Sequence, residues 1–323
     1  MPQRDFFDKD IANTENTNGY YIIQENDFVY NPRKSNEAPY GPISMYKYKD
    51  KGIVSPLYLC FRATKEIHPR YFEMYFKSSV WHKYIYFAGD SGARYDRVSI
   101  KDDVFFEMPI NIPSLPEQQK IADFLSLVDR RIEKQRQLVE SLKKYKRGAL
   151  SRVFNDVLET VKLSDISNFI SSARTLSTTL NGNKGIYPVY DAAGIAGYID
   201  YYDIDSDYIT IVKDGSGVGR LQKCDKKSSF IGTLGALVAK NCTTDFLYAV
   251  LQTIDFSKFV TGMAIPHIYY RDYKSTLLPF PSEEKQHFIS QLLKKFDIYI
   301  ENETQKLTNM LAYKQGLLQQ MFI

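Results

Sequence analysis

Residues 113–154 and 281–322 are one passage written twice. PSLPEQQKIADFL opens the first copy and PSEEKQHFISQLL the second, 168 residues further on. At that offset and without gaps, 14 of 42 positions are identical: Pro113, Ser114, Gln118, Ile121, Leu125, Asp129, Ile132, Glu133, Gln137, Tyr145, Lys146, Gly148, Leu150 and Phe154. Unrelated sequences agree by chance several times less often, so the chain carries an internal duplication, and any fold it adopts must contain the same element twice.

Each copy reads as one long helix. A Pro-Ser entry followed by acid and amide residues is a helix-start signal, with Ser114 or Ser282 as cap. No proline falls within 117–154 or 282–323. Apolar residues keep a heptad spacing: Leu125, Val128, Ile132, Val139 and Leu142 in the first copy, Leu293, Phe296, Ile300, Leu307 and Met310 in the second, continuing through Ala149, Val153, Leu317 and Met321. Polar residues interrupt both seams at matching places, Gln135/Glu303 and Lys146/Lys314. Such a seam calls for a partner helix, and its polar positions set register. The other copy is the obvious partner. Helices of this length extend roughly 57 Å at 1.5 Å per residue, a spacer rather than a core element. A domain precedes each helix, and the second starts almost directly after Phe154. Antiparallel pairing is therefore expected, with the domains about a rod-length apart.

The two intervening segments share an outline. Strand-like runs cover Tyr20–Ile23, Phe28–Tyr30, Ile53–Phe61, Tyr187–Tyr190, Tyr208–Val212 and Ala236–Ala239. Helix-like segments cover Tyr71–Tyr84 and Asp245–Phe259, each followed by a Gly loop, AGDSGARYDRVS or TGMAIPHIYYRD. The expected fold class is α+β with a pseudo-two-fold internal repeat. Two domains of mixed content, 1–112 and 155–280, are separated by two long antiparallel coiled-coil helices, 113–154 and 281–323. Matching Asp27-Phe28-Val29 to Asp207-Tyr208-Ile209 places Met1 near Asn181. The first domain is then expected to be short at its N-terminal side, or to borrow its opening strands.

Composition narrows the function classes. Net charge is +4, too small to announce a nucleic-acid binder unaided, and the excess sits on the first long helix, which holds 10 basic and 5 acidic residues over 117–154. That run, KKYKRGALSR above all, is either a solvated face or a meeting place for an acidic partner or phosphates. The 25 Tyr and 20 Phe fit a β-rich core or a recognition surface. Three cysteines without a CxxC and four scattered histidines argue against a disulfide framework and a metal site. The N-terminus lacks the apolar run of a signal peptide, and no stretch approaches the 18 apolar residues of a membrane span, so a reducing cytoplasm is the expected compartment.

VKDGSGVGR, at 212–220, follows a strand but spaces its glycines as Gly-x-Gly-x-Gly and opens no helix, unlike a dinucleotide loop. A hairpin or DNA-facing loop fits better. Lys213, Ser216, Arg220, Gln222 and Lys223 are donors that reach phosphates and base edges. The analogous loop YNPRKSNEAPYG offers Asn31, Arg33, Lys34, Ser35 and Asn36. Arg94 and Arg97 in the first Gly loop, and His267 and Arg271 in the second, are further candidates. A solvated polar turn is the plain alternative for each. No methyltransferase DPPY or NPPY motif, P-loop, GxSxG or defensible nuclease core is present, so no catalytic residue, cofactor or metal is assigned.

PSLPEQQKIADFLSLVDRRI with its echo, and the flanking GIVSPLYLCF and VSIKDDVFFEMPINIPSLPEQ, resemble the specificity subunit of Type I restriction–modification systems over nearly the whole chain. The resemblance implies two target-recognition domains, each reading half of a split site in double-stranded DNA. It implies helices that set the spacing and dock methylation subunits, two of them. Restriction and translocation subunits join through the complex, and the subunit itself is non-catalytic. A coiled-coil scaffold that only joins proteins, and an enzyme with its own catalysis, are the competing classes.

Overall fold

The structure, a computed structural model, describes residues 19–89, 96–180 and 184–322. The expectation of a short first domain turns on residues 1–18, and the reading of the N-terminus falls there too; both lie outside the described residues. The chain divides into two compact units, Met1–Gln137 with Thr304–Ile323, and Leu138–Glu303.

Unit 1 begins with strands β1 (Tyr21–Ile23), β2 (Asp27–Tyr30), β3 (Ile43–Met45), β4 (Gly52–Val54) and β5 (Leu59–Arg62). Helices α1 (Pro69–Lys77), α2 (His82–Ala88) and α3 (Asp102–Phe106) follow, then the start of α4 (Leu115–Asn155). Unit 2 holds β6 (Thr160–Lys162), α5 (Leu163–Ile166), β7 (Ser167–Ser171), α6 (Leu176–Leu180), β8 (Tyr187–Asp191), β9 (Gly194–Ile199) and β10 (Tyr208–Val212). It continues through β11 (Leu221–Cys224), β12 (Ser229–Phe230), β13 (Leu234–Ala239), α7 (Thr244–Leu251), a 3-10 turn (Phe256–Phe259), α8 (Tyr270–Tyr273) and β14 (Leu277–Pro279) to the start of α9 (Glu283–Met321).

The same antiparallel frame recurs in both units. In unit 1 the sheet order is β3-β2-β5, and in unit 2 it is β11-β10-β13, with β7 added beside β13. A separate sheet, β12-β8-β9, belongs to unit 2 alone among the described residues. One helix follows the last strand of each frame, α1 or α7. The expected strand Ile53–Phe61 is two strands, because Pro56 has no N–H for a ladder and Ser55 to Tyr58 form a turn. The expected helix Tyr71–Tyr84 breaks at Ser78, whose backbone is extended and whose hydroxyl caps the Tyr75 carbonyl at 2.6 Å. The expected helix Asp245–Phe259 stops at Leu251 and resumes as the 3-10 turn, started by Asp255 bonding the Ser257 N–H at 3.2 Å.

Aromatic residues build the core of unit 1. Phe28 of β2 stacks on Phe61 of β5 at 5.5 Å, and Phe72 and Phe76 of α1 lie 4.6 Å apart beneath them. Asp27 is buried at the start of β2 and is held by Arg62 through bonds of 2.5 and 2.9 Å and by the Gln24 N–H at 2.8 Å. Burial pushes its carboxyl up, but the guanidinium and the amide outweigh that, so it titrates below the ordinary aspartate range.

The two long helices enter each unit as an antiparallel pair. In unit 1, Asp129 of α4 pairs with Lys314 of α9. In unit 2, Lys146 of α4 pairs with Asp297 of α9 at 2.5 Å. Asp129 and Asp297, like Lys146 and Lys314, are counterparts under the 168-residue repeat, so the two bridges are images of one another. In both bridges the residue numbers have the same sum, as antiparallel register requires. Leu125, Ile132, Val139 and Leu293 are buried, and Val128, Leu142, Phe296, Ile300, Leu307 and Met310 are half-buried. Each helix also ends as a plug. Leu318 and Phe322 join the core of unit 1, where the Phe322 ring lies 5.2 Å from Tyr71. Leu150 and Phe154 do the same in unit 2, against Phe246 at 6.4 Å.

The shared opening of the repeat has a structural task. Gln118 is buried, donates to the Pro113 carbonyl at 2.9 Å and accepts the His68 N–H at 2.7 Å. Its counterpart Gln286 donates to the Pro281 carbonyl at 2.9 Å. Glu117 reaches back to the Ser114 N–H at 3.0 Å, half of a capping box.

Two outcomes follow. Removing one charge by Lys314→Ala or Asp129→Ala lowers stability, whereas the swap Asp129→Lys with Lys314→Asp recovers it. A double-mutant cycle in urea should give a coupling of about 1 kcal/mol that shrinks in high salt. The depressed folded-state pKa of Asp27 means its stabilisation is present above the unfolded value and lost as pH falls through the folded one. Urea midpoints of the native chain should therefore drop below about pH 4, and Asp27→Asn should flatten that part of the profile.

Candidate nucleic-acid interface

In unit 1 the turn from β2 to β3 carries Asn31, Arg33, Lys34, Ser35 and Asn36. Asn31 is half-buried and the other four are exposed. The Asn31 side chain accepts the Arg33 N–H at 3.0 Å, an Asx turn, and the Asn31 N–H bonds the Pro42 carbonyl at 3.0 Å. Ser35 and Ala38 close the far side through bonds of 3.0 and 3.1 Å. Gly41 has φ +81, and a Cβ there would lie 2.1 Å from the Asn31 carbonyl oxygen. The turn can pass so close to its own start only because this residue has no side chain.

A second segment fastens that turn. The Val98 N–H bonds the Pro32 carbonyl and the Lys34 N–H bonds the Asp96 carbonyl, both at 2.8 Å, so Arg33 stands opposite Arg97 in an isolated bridge. Arg94 lies outside the described residues. The structure thus brings Arg97 beside the Asn31–Asn36 turn.

Unit 2 repeats the device. The Ile268 N–H bonds the Lys213 carbonyl and the Gly215 N–H bonds the Pro266 carbonyl, each at 2.9 Å, with Asp214 opposite His267. Pro32 therefore corresponds to Lys213, Lys34 to Gly215 and Val98 to Ile268. This corrects the sequence match by one residue: Phe28 aligns with Ile209, not Tyr208. Each ladder bond counts residues, whereas buried apolar runs on β2 and β10 look alike when shifted.

The other candidates in unit 2 divide. Ser216 and Arg220 are exposed, and the Arg220 guanidinium crosses Gly217, where a Cβ would lie 2.7 Å from it. Gln222 is half-buried on β11. Lys223 is engaged elsewhere, donating to Asp245 at 2.5 Å and lying 4.9 Å from the Tyr248 ring centre. Arg271 lies 4.6 Å from the centre of the Tyr269 ring, with most of its side chain in solvent. Tyr269 itself lies 5.0 Å from His267, an arrangement that sequence reading did not anticipate. A tyrosine two residues before an arginine was the only signal of it.

The unit 1 turn exposes amide, hydroxyl and guanidinium donors and the unit 2 turn hydroxyl and guanidinium donors, both on backbone that is pinned by a second segment, which suits contact with phosphates and base edges. The thiols are a contrast: burial pushes Cys224 and Cys242 up to about 11, far from a reactive thiolate. Among the described residues no group of three His, Cys, Asp or Glu is placed to hold a metal, and no helix is long and apolar enough to cross a membrane.

A duplicated unit that presents the same pinned pair of turns twice has the build of a two-headed recognition protein. The family described as Type I restriction modification DNA specificity domain matches residues 7–144 and again 155–311, and this chain belongs to it. A candidate type I specificity subunit of Mycoplasma pneumoniae is 28% identical over 201 residues, 59% of this chain and 84% of that protein. The crystal structure of the S subunit of a Type I restriction–modification system from M. genitalium superposes with a TM-score of 0.54 at 17% identity, over 93% of this chain and 84% of that one. A chain from a structural study of assembly and conformational transition of the type I R-M system superposes at 0.61 with 16% identity, over 92% and 81%. At these identities the two structures speak for the fold.

Gly41→Ala should strain the unit 1 turn and lower stability by about 2 kcal/mol. Chemical denaturation measures it, with Gly148→Ala, where a Cβ meets nothing within 4 Å, as the tolerated control.

Proposed function

We propose that this chain is the DNA-reading specificity subunit of a Type I restriction–modification complex. The observation that carries the reading is the pinned turn pair, present in both halves of a chain whose two halves each match the specificity family. Each recognition domain, 1–112 or 155–280, reads one half of a split target in double-stranded DNA. The segments 113–154 and 281–323 hold the half-sites at a set spacing and dock two methylation subunits, through which restriction and translocation subunits join. The chain contributes no catalysis of its own, and the complex works where the DNA is, in the cytoplasm.

In unit 1 the bases are read by Asn31, Arg33, Lys34, Ser35 and Asn36 with Arg97. In unit 2 they are read by Lys213, Ser216, Arg220 and Gln222, with Arg271 on the flank. Lys223 serves less well, because Asp245 and Tyr248 already occupy its charge. A scaffold without DNA reading explains the helix pair but not two domains that keep one frame while their exposed turns diverge.

Methylome sequencing of cells with and without the gene tests this. It should yield a bipartite motif that disappears with the gene. Arg33→Ala should relax or change one half of the motif and Arg220→Ala the other, each costing about 1–3 kcal/mol of discrimination at the affected base. A motif that is absent, or unmoved by both substitutions and by exchange of the whole turns, counts against the reading.

A further inference from the structure

A charged cluster in unit 1 lies apart from the turns described above. Glu73, on α1, is buried, its side chain only 5% exposed. Three cations converge on that carboxylate: Lys47 at 2.6 Å, Arg70 at 3.0 Å and Lys77 at 3.2 Å. Burial pushes the Glu73 carboxyl up, and the three cations more than reverse it, holding the group ionised and below its ordinary range. Each cation keeps roughly 40 to 50% of its side chain in solvent, so donors remain that face away from Glu73.

One carboxylate neutralises one cation. The cluster therefore holds a positive surplus on side chains whose positions are set by a common buried partner. Holding like charges together costs energy unless an outside anion meets them, and groups already positioned lose less entropy when they bind one.

The other unit supplies an internal comparison. With the helices aligned from their first residues beyond His68 and Thr243, the places of Arg70, Glu73 and Lys77 are taken by Asp245, Tyr248 and Gln252. There Lys223 is balanced by Asp245 and covered by the Tyr248 ring. The helix of that frame carries no cation of its own, so packing alone does not require Arg70 and Lys77.

Lys47 follows β3 at the end where the Tyr46 N–H bonds the Asp27 carbonyl at 2.7 Å. The Asn31–Asn36 turn leaves β2 from its other end. The cluster and the turn are thus separated by about one strand length, roughly 13 Å at 3.3 Å per residue, within the span of one DNA duplex.

We infer that Lys47, Arg70 and Lys77, organised by Glu73, form a phosphate-binding site that fixes the register of unit 1 on the DNA backbone while the turn reads bases. This rests on the DNA-reading function proposed above. Arg70 supplies a planar fork and the lysines supply point charges, the donor set that phosphate oxygens accept.

The test uses the full chain assembled with its methylation subunits, and two duplexes, one carrying the methylated motif and one scrambled. Binding is measured across a salt series. Lys47→Gln and Lys77→Gln should each weaken both duplexes several-fold and reduce the log–log salt slope by about 1. The preferred sequence should stay the same, and Lys47→Arg should restore binding. Glu73→Gln, which removes the competing carboxylate without removing a cation, should tighten both duplexes at low salt, a change that a purely structural role would not produce. Melting curves confirm that each variant is folded. Unchanged slopes in folded lysine variants with sequence preference intact overturn the phosphate site alone. So does loss of methylation subunits in place of DNA affinity, which would assign the patch to an acidic protein partner. A native complex without any sequence preference overturns the DNA-reading function, and this site with it.

Discussion

The pairing of two copies of one helical passage in opposite directions is the constraint on which the rest depends. A lysine on a coiled-coil seam is costly unless an anion meets it. Here each seam lysine finds an aspartate on the other helix, Lys314 with Asp129 and Lys146 with Asp297. Because both residues belong to the repeated passage, one pair of sequence positions yields two bridges, and sliding either helix by one turn breaks both. The same register delivers Leu318 and Phe322 to one aromatic core and Leu150 and Phe154 to the other. Each domain core is thus completed by a helix end, and the repeated residues are those that must fit both the partner helix and a domain.

Above that frame, the two domains share a way of holding a turn in place. A central strand, β2 or β10, runs into a polar turn, and a short segment from the late Gly loop bonds back to it by two backbone bonds. These two bonds use only main-chain groups, so they place no demand on which side chains stand at the bonded positions. Asn31, Arg33 and Ser35 stand in one unit where Val212, Asp214 and Ser216 stand in the other. A structure that fixes the backbone and releases the side chains is suited to changing specificity without changing fold.

The periodic features were legible in the sequence. The two long helices, their seams and the strands Phe28–Tyr30 and Tyr208–Val212 follow from spacing and composition over many residues. The breaks were less so. Helix α1 ends at Lys77 because Ser78 bonds backward to Tyr75 and Trp81 bonds the Phe76 carbonyl at 3.1 Å, contacts that periodicity does not encode. The aromatic surplus had two open readings, core or recognition surface. In unit 1 most of it is core, and Tyr269 beside Arg271 is an exception in unit 2.

By itself the sequence determined that one helical passage occurs twice, that its seam needs a partner, and which polar turns stand beside strands. Those features are local or repeat at a fixed period, so counting residues reveals them. Only the tertiary structure decided which aspartate meets each seam lysine, which late segment pins each turn, and that Lys223 is spent on Asp245 while Lys47, Arg70 and Lys77 crowd around Glu73. Arg70 and Lys77 lie one helical turn from Glu73 on α1, but the other contacts depend on residues distant in the chain arriving within a few ångströms of one another, and charge interactions between such residues carry no trace in sequence order.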